Sequence, residues 1–223
     1  MLLAIEGALA RCSVALLHQG SVLAEASAEA ARGHPSLLPR FAAEVLAAGG
    51  VAASALDAVA VGVGPGGFTG LRAAIALAEG IARAAGRPLL VGVTTGEALL
   101  AALPPVQRGA RSVWAAVDNR RGRAVIERFA SGACVPEPPE VVALDALPGA
   151  AGPVLVLGDA AEAVAAALRA AGTEAEARPG LPSAAPLGAV AALRLAGRIP
   201  QRGAAPLYAE PPAVSTPAAR VCA

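Results

Sequence analysis

An apolar run, Ala58-Val59-Ala60-Val61-Gly62-Val63, leads straight into Gly64-Pro65-Gly66-Gly67-Phe68-Thr69-Gly70-Leu71-Arg72 and then into Ala73 to Ala85. The run reads as a buried strand and the last segment as a helix, so the chain must pass from strand to helix through four glycines. Such a turn has two physical uses. It presents free backbone N–H groups at a helix start, where an anion is held. It also lets two backbones approach closely, because glycine carries no Cβ. The Gly-Lys-Ser/Thr ending of an ATPase phosphate loop is missing here. All 18 basic residues are arginine, so lysine chemistry such as a Schiff base is excluded.

Upstream, Leu2-Leu3-Ala4-Ile5, Cys12 to Leu17 and Ser21 to Glu25 read as three strands, the last two joined by the tight His18-Gln19-Gly20 turn. Leu37, Leu38, Phe41, Val45 and Leu46 recur at helical spacing through Ala48, with Pro35 suited to a first turn and Pro39 expected to distort the helix. Leu89 to Val93 is a further strand, and Thr95 to Ala102 a short helix capped by Thr94 or Thr95. The order βββαβαβα places three antiparallel strands beside parallel ones joined through helices, a mixed sheet flanked by helices. That is the ribonuclease-H-like, actin-like unit. After a linker at Leu103-Pro104-Pro105 comes a reduced second copy. It comprises strands Ser112 to Asp118, Arg123 to Phe129, Val141 to Leu144 and Pro153 to Leu157, and helices Ala160 to Ala171 and Ala185 to Leu195. The expected fold is a two-lobed α/β chain, divided into 1–103 and 104–223. The repeat is one of topology, without a repeat of sequence.

Composition narrows the function. The net charge is +1, so no basic field favours autonomous nucleic-acid binding. The excess of Ala, Gly and Pro makes the all-arginine usage read as a coding bias rather than as phosphate recognition. Mean hydropathy is +0.59, yet the longest charge-free run, Pro179 to Leu193, has 15 residues and three prolines. A spanning helix needs roughly 20 apolar residues. With no signal-peptide layout either, the expected location is the cytoplasm. Cys12, Cys134 and Cys222 are odd in number and far apart, which suits free thiols. Two histidines and no cysteine cluster give no metal site.

Few residues carry chemistry. Glu6, before Gly7 and Ala8, ends the first strand as a carboxylate without a neighbouring hydroxyl, and reads better as a polar strand end at a cleft than as a metal–phosphate ligand. His34 precedes a helix, but the fourth residue along is Leu38, so it lacks the partner of a metal pair and is expected to cap or to bond at the surface. Asp118 with Arg120, Arg121 and Arg123 forms a charged hairpin tip, read as a solvated turn or as an anion contact beside the cleft. Thr69 is a candidate cap for the helix after the glycine loop. Gly80, inside that helix, suggests close helix packing. Glu6, Gly64, Gly66, Gly67 and Thr69 together are the candidate anion or nucleotide contacts. No catalytic residue is assigned.

The string GPGGFTGLR resembles GPGSFTGLR, the signature of the bacterial tRNA threonylcarbamoyladenosine biosynthesis family TsaB, also called YeaZ. The likeness extends to Cys12-Ser13-Val14-Ala15-Leu16, to Arg32-Gly33-His34 with Leu37-Leu38-Pro39, to Gly92-Val93 with Glu97-Ala98-Leu99, to Asp118 through Ile126, and to Pro206-Leu207-Tyr208. The resemblance implies an actin-like fold and a part in threonylcarbamoylation of the adenosine next to the anticodon in tRNAs that read ANN codons. In that family the chain is a non-catalytic partner of the transferase TsaD, joined by the ATPase TsaE. It meets tRNA indirectly through the complex, forms a homodimer when TsaD is absent, and binds no cofactor tightly itself, ATP or ADP and magnesium entering with the complex. The lone His34 agrees with TsaB rather than TsaD. Where the family shows Asp-Thr-Ser this chain has Glu6-Gly7-Ala8, and where it shows Ser this chain has Gly67. Both changes remove hydroxyls from the region where the family resemblance implies phosphate contact.

The resemblance places the partner surface on the helices Ser36 to Ala48 and Leu71 to Ala85, with Leu37, Leu38, Phe41, Val45, Leu71, Ala74, Ile75 and Ala78 as candidate interface residues. Alternatively the same stripes pack on the sheet; Ala-rich helices have apolar surface for both. The alternative function is an actin-like small-molecule kinase, for which the chain offers only Glu6 and the Gly158-Asp159 pair.

Overall fold

The computed structural model describes residues 1–29, 33–86, 88–120 and 122–209. Arg32, Arg121 and Cys222, named above, lie outside them. Strands β1 (Leu2–Glu6), β2 (Arg11–His18) and β3 (Ser21–Glu29) form an antiparallel meander. Helix α1 (His34–Ala48) leads to β4 (Ala58–Gly64), helix α2 (Phe68–Ala84) to β5 (Leu89–Thr94), and helix α3 (Thr95–Ala102) follows. The sheet order is β3-β2-β1-β4-β5, with β1, β4 and β5 parallel. Strands β1 and β4 are buried at every residue, as expected of unbroken apolar runs covered on both faces.

A short helix, α4 (Pro105–Arg108), occupies the expected linker. Then β6 (Ser112–Asp118), β7 (Arg123–Phe129) and β8 (Glu140–Ala143) form a second meander. Strand β9 (Val154–Leu157), helix α5 (Ala161–Ala170), strand β10 (Ala175–Arg178) and helix α6 (Ala184–Leu195) complete the chain. The second order, β10-β9-β6-β7-β8, is the first one traced from its other edge. What the copy lacks is a counterpart of α1, since only a single 3₁₀ turn, Leu144–Ala146, separates β8 from β9. The fold is the two-lobed actin-like α/β architecture.

Each sheet carries its own helices on one face: α1 and α2 on the first, α5 on the second. The other faces are covered by exchange. Leu187, Val190 and Ala191 of α6 pack on Leu2, Ala4, Leu17, Val91 and Val93 of the first sheet. Leu99 and Leu100 of α3 pack on Val113, Ala115, Leu155 and Leu157 of the second. Helix α6 lies flush, for a Cβ on Gly188 would stand 2.6 Å from Leu17 Cδ1. Its first N–H, that of Ala184, donates to the buried Ser13 Oγ at 2.9 Å. The exchanged helices meet through a buried ion pair, Arg194 Nη2 to Glu97 Oε1 at 2.6 Å. A cut after residue 103 would therefore leave α3 and α6 each on the sheet of the other half.

Several boundaries differ from the sequence reading. Helix α2 begins at Phe68 rather than Ala73, with Gly67 as its N-cap and Thr69 inside its first turn without a side-chain capping bond. Helix α1 begins at His34 and runs through Pro39. Strand β3 continues to Glu29, and β10 was not anticipated, being a four-residue edge strand whose Glu176 and Arg178 are exposed. Thr94 rather than Thr95 caps α3, in a reciprocal box with Glu97.

Removing one member of a buried pair leaves an uncompensated charge. Arg194→Met is expected to cost about 3–5 kcal/mol. Pairing it with Glu97→Gln, which keeps an acceptor for the Thr94 N–H, should recover most of that loss; urea unfolding of the two variants measures the difference.

Candidate functional site: the cleft between the sheets

Gly64 ends β4 at φ +97°, a conformation that favours glycine. The loop after it lies directly on the β1–β2 turn. A Cβ on Gly66 would run into the Ala8 carbonyl oxygen, and one on Gly70 into the Gly7 carbonyl oxygen, with His34 Nδ1 2.7 Å away. Gly67 N–H donates to Ala8 O at 2.7 Å, and Thr95 Oγ1 donates to Pro65 O at 2.6 Å. Two of the glycines thus serve close approach of backbones, and at least one loop N–H is already spent within the chain.

Together the two turns form one wall of a cleft of about 440 Å³ between the lobes, lined here by Gly7, Ala8, Gly66, Gly67, Thr69 and Gly70. The opposite wall comes from the second sheet: Asp118, Asn119 and Arg120 at the end of β6, and Asp159 after β9. Asp159 Oδ1 accepts the Asp118 N–H at 2.9 Å, and Asp118 Oδ1 accepts the Arg120 N–H at 2.7 Å. Burial pushes the Asp159 carboxyl up, and the neighbouring Asp118 charge adds to the shift against the Asp118 N–H.

Glu6 is not part of this lining. It is fully buried beneath it, with Oε1 accepting the Ala8 N–H at 2.6 Å and Oε2 without a hydrogen-bond partner. Burial raises its carboxyl to about 7, against the pull of the Ala8 and Gly7 N–H groups. Gly64 is likewise outside the lining. His34 is a correction too: it is 7% exposed, with Nδ1 3.3 Å from Gly7 O at the floor of the cleft, rather than on the surface. The hairpin tip with Asp118 and Arg120 does stand beside the cleft.

The partner surface needs the larger correction. Leu38, Phe41, Val45, Leu71, Ala74, Ile75 and Ala78 are all buried in the core between α1, α2 and the first sheet, and only Leu37 among the eight is half-buried. Their stripe is the one that packs on the sheet. What α1 and α2 present outward is Arg40, Ala43, Glu44, Phe68, Arg72, Ala76, Gly80 and Arg83. A Cβ on Gly80 would meet open space, so no packing within the chain requires that glycine. Two residues of the cleft received little weight from sequence. In the sequence Asp159 stands out only as half of a Gly-Asp pair, and Phe68 only as part of the glycine-loop string. The signal for Asp159 was available, because its strand–Gly–Asp–helix setting repeats that of Gly64 before α2.

Comparison with known proteins adds the following. The family model for the tRNA N6-adenosine threonylcarbamoyltransferase TsaD matches residues 25–131. The tRNA threonylcarbamoyladenosine biosynthesis protein TsaB of Escherichia coli (strain K12) is 37% identical over 123 residues, 54% of this chain and 51% of that protein. TsaB of Haemophilus influenzae is 37% identical over 89 residues, 40% of this chain and 37% of that protein. The matches thus span about half, or less, of these relatives' own lengths. Among solved structures, YeaZ from Pseudomonas aeruginosa superposes with a TM-score of 0.75 at 28% identity, covering 93% of this chain and 98% of that one. A Pseudomonas aeruginosa protein with similarity to peptidase YeaZ gives 0.75 at 29%, covering 94% and 99%.

Two outcomes follow from the geometry. Gly66→Ala should cost about 1–3 kcal/mol through forced displacement of the Ala8 turn. Gly67→Ala, whose Cβ would lie 3.5 Å from Ala8 O, should cost well under that by the same thermal-unfolding measurement. Glu6 and Glu127, the latter buried in β7, both have carboxyls raised from 4.5 to about 7 by burial. The folded state then binds more protons than the unfolded chain, so stability falls as pH climbs from about 4.5 toward 7 and levels off above. Melting temperatures across that window should show a shallower decline for Glu6→Gln and for Glu127→Gln than for the parent.

Proposed function

We propose that the chain is a member of the TsaB/YeaZ family and the non-catalytic partner of TsaD in threonylcarbamoylation of the adenosine next to the anticodon in ANN-decoding tRNAs, working in the cytoplasm with TsaE. The near full-length likeness to YeaZ carries the reading. The cleft supports it. Glu6, the carboxylate that an actin-like phosphotransferase would turn toward phosphate and metal, is sealed under the floor, where burial raises its carboxyl to about 7. The Ala8 N–H is committed to Glu6 and the Gly67 N–H to Ala8 O, which leaves these two donors unavailable to a phosphate. Among the described residues, Arg120 is the arginine of the lining. These residues do not fit a tightly held magnesium–nucleotide on this chain alone, and nucleotide enters at the level of the complex.

The kinase reading keeps one observation in its favour, a cleft of nucleotide size with Asp118 and Asp159 on its far wall. Calorimetry with magnesium and ATP separates the two: weak or undetectable heat supports the partner reading, and tight, magnesium-dependent binding supports the kinase. The direct test is reconstitution of tRNA modification from TsaD, TsaE and the synthase that makes threonylcarbamoyl-AMP. Omitting this chain should drop modification to background, and undiminished modification would sink the partner role. In sedimentation, adding TsaD should convert a homodimer of this chain into a heterodimer.

A further inference from the structure

The two segments most distinctive of the chain, the glycine-loop string and Pro206-Leu207-Tyr208, meet in space although 136 residues separate Arg72 from Tyr208. After α6 the chain doubles back along the first sheet. Gly92 N–H donates to Arg202 O at 2.8 Å, and Leu207 N–H donates to Val63 O at 2.7 Å. These bonds set Tyr208 beside the first turns of α2. Arg72 Nε donates to the Tyr208 hydroxyl at 2.9 Å. The Arg72 guanidinium stands 3.8 Å from the Phe68 ring centroid and 5.8 Å from that of Tyr208. The two rings lie 6.3 Å apart and 26° from parallel.

This cluster does little for the chain itself. Phe68 is 55% exposed and Tyr208 45%, so neither ring contributes the burial that would justify an aromatic there. Arg72 is exposed, and among the described residues no carboxylate pairs with it. What the cluster provides is preorganisation. The cation–π contact and the Tyr208 bond fix a guanidinium whose side chain would otherwise be free, so less conformational freedom is lost when it is engaged. Nε is satisfied internally, and the terminal nitrogens remain to donate to an acceptor. A planar fork flanked by aromatic surface is the arrangement that binds a carboxylate bidentately, and Tyr and Arg are among the residues that dominate interface energetics.

We infer that Phe68, Arg72 and Tyr208 form the anchor of the partner-protein contact, with Arg72 receiving an Asp or Glu side chain of the partner between the two rings. The inference rests on the partner reading above and names the residues that the buried stripe of α1 and α2 does not supply. Charge decides between classes of partner. A guanidinium fork also suits phosphate, but the chain is only +1 overall, without the basic field that gives nucleic acid its sequence-independent grip. An acidic residue in an apolar setting on a protein fits a single fixed cation between aromatic rings. The patch is continuous with the outward face of α2, so the last residues of the signature and the chain's returning strap work as one surface.

The test uses the full chain and TsaD from the same organism, with affinity measured by calorimetry. Arg72→Ala and Phe68→Ala should each weaken binding about thirtyfold or more, the scale of an interface hot spot. Arg72→Lys, which keeps the charge and loses the fork, should recover little of it. Tyr208→Phe, which loses only the hydroxyl, should cost a few-fold. Val106→Ala, at an 88% exposed position on α4, is the control and should bind as the parent does. Melting temperatures unchanged across the set tie the losses to the contact rather than to folding. Binding of Arg72→Glu restored by an Asp or Glu to Arg change on the TsaD surface would identify the paired carboxylate. Parent-like affinity in Arg72→Ala and Phe68→Ala overturns the anchor while leaving the partner role standing. Loss of tRNA binding in these variants with TsaD affinity intact overturns it in favour of a phosphate ligand. No binding of TsaD by the parent chain overturns both readings.

Discussion

Four consecutive residues at the start of α3 hold the molecule together. Thr94 ends the first sheet and caps the helix, Thr95 grips the glycine loop through Pro65 O, Gly96 N–H donates to Glu127 of the second sheet at 2.6 Å, and Glu97 pairs with Arg194 of α6. Each bond runs to a different part of the fold. A buried ion pair is weak evidence for net stability, because desolvation of both charges offsets their attraction. Its effect here is positional. With α3 on the second sheet and α6 on the first, Glu97 and Arg194 can meet only if both exchanged helices are seated, so the pair specifies how the lobes are joined and hence the width of the cleft between them.

The same economy governs the other interior carboxyls. Glu6 accepts a backbone N–H from the β1–β2 turn, and Glu127 accepts one from the first turn of α3. In both cases burial works against the charge, and the bond to a backbone amide is what the group supplies. Glu6 therefore shapes the floor of the cleft from below, through the Ala8 turn on which the glycine loop rests. A carboxylate that the strand-end position alone would place in a phosphate site acts as a strut for the wall of that site.

Much of the architecture was legible in the sequence because local signals agreed. The strands β6 and β7 and the helix α3 begin and end where alternation, turn residues and capping residues place them. The two-lobed order followed from the sequence of elements. What stayed hidden was long-range or compositional. Helices built largely from alanine show little polar face, so the stripe of Leu38, Phe41, Leu71 and Ala78 gave no sign of whether it met the sheet or another protein, and it meets the sheet. The exchange of α3 and α6 is invisible for the same reason, each being apolar around much of its circumference. The depth of Glu6 and His34 depends on the approach of Gly66 and Gly70, a contact between segments some sixty residues apart in sequence that no local pattern reports.

The placement of α6 also bears on how the chain is made. The face of the first sheet that it covers is formed by β1, β2, β4 and β5, all of which leave the ribosome well before residues 184–195 do. During synthesis that face has no cover of its own. Half of its residues are alanines, Ala4, Ala15, Ala58 and Ala60, beside Leu2, Leu17, Val91 and Val93. Small methyl side chains expose less apolar area than Leu3, Ile5, Val14, Leu16, Val59 and Val61 on the opposite face. A sheet that must wait for its last helix presents its least adhesive side while it waits.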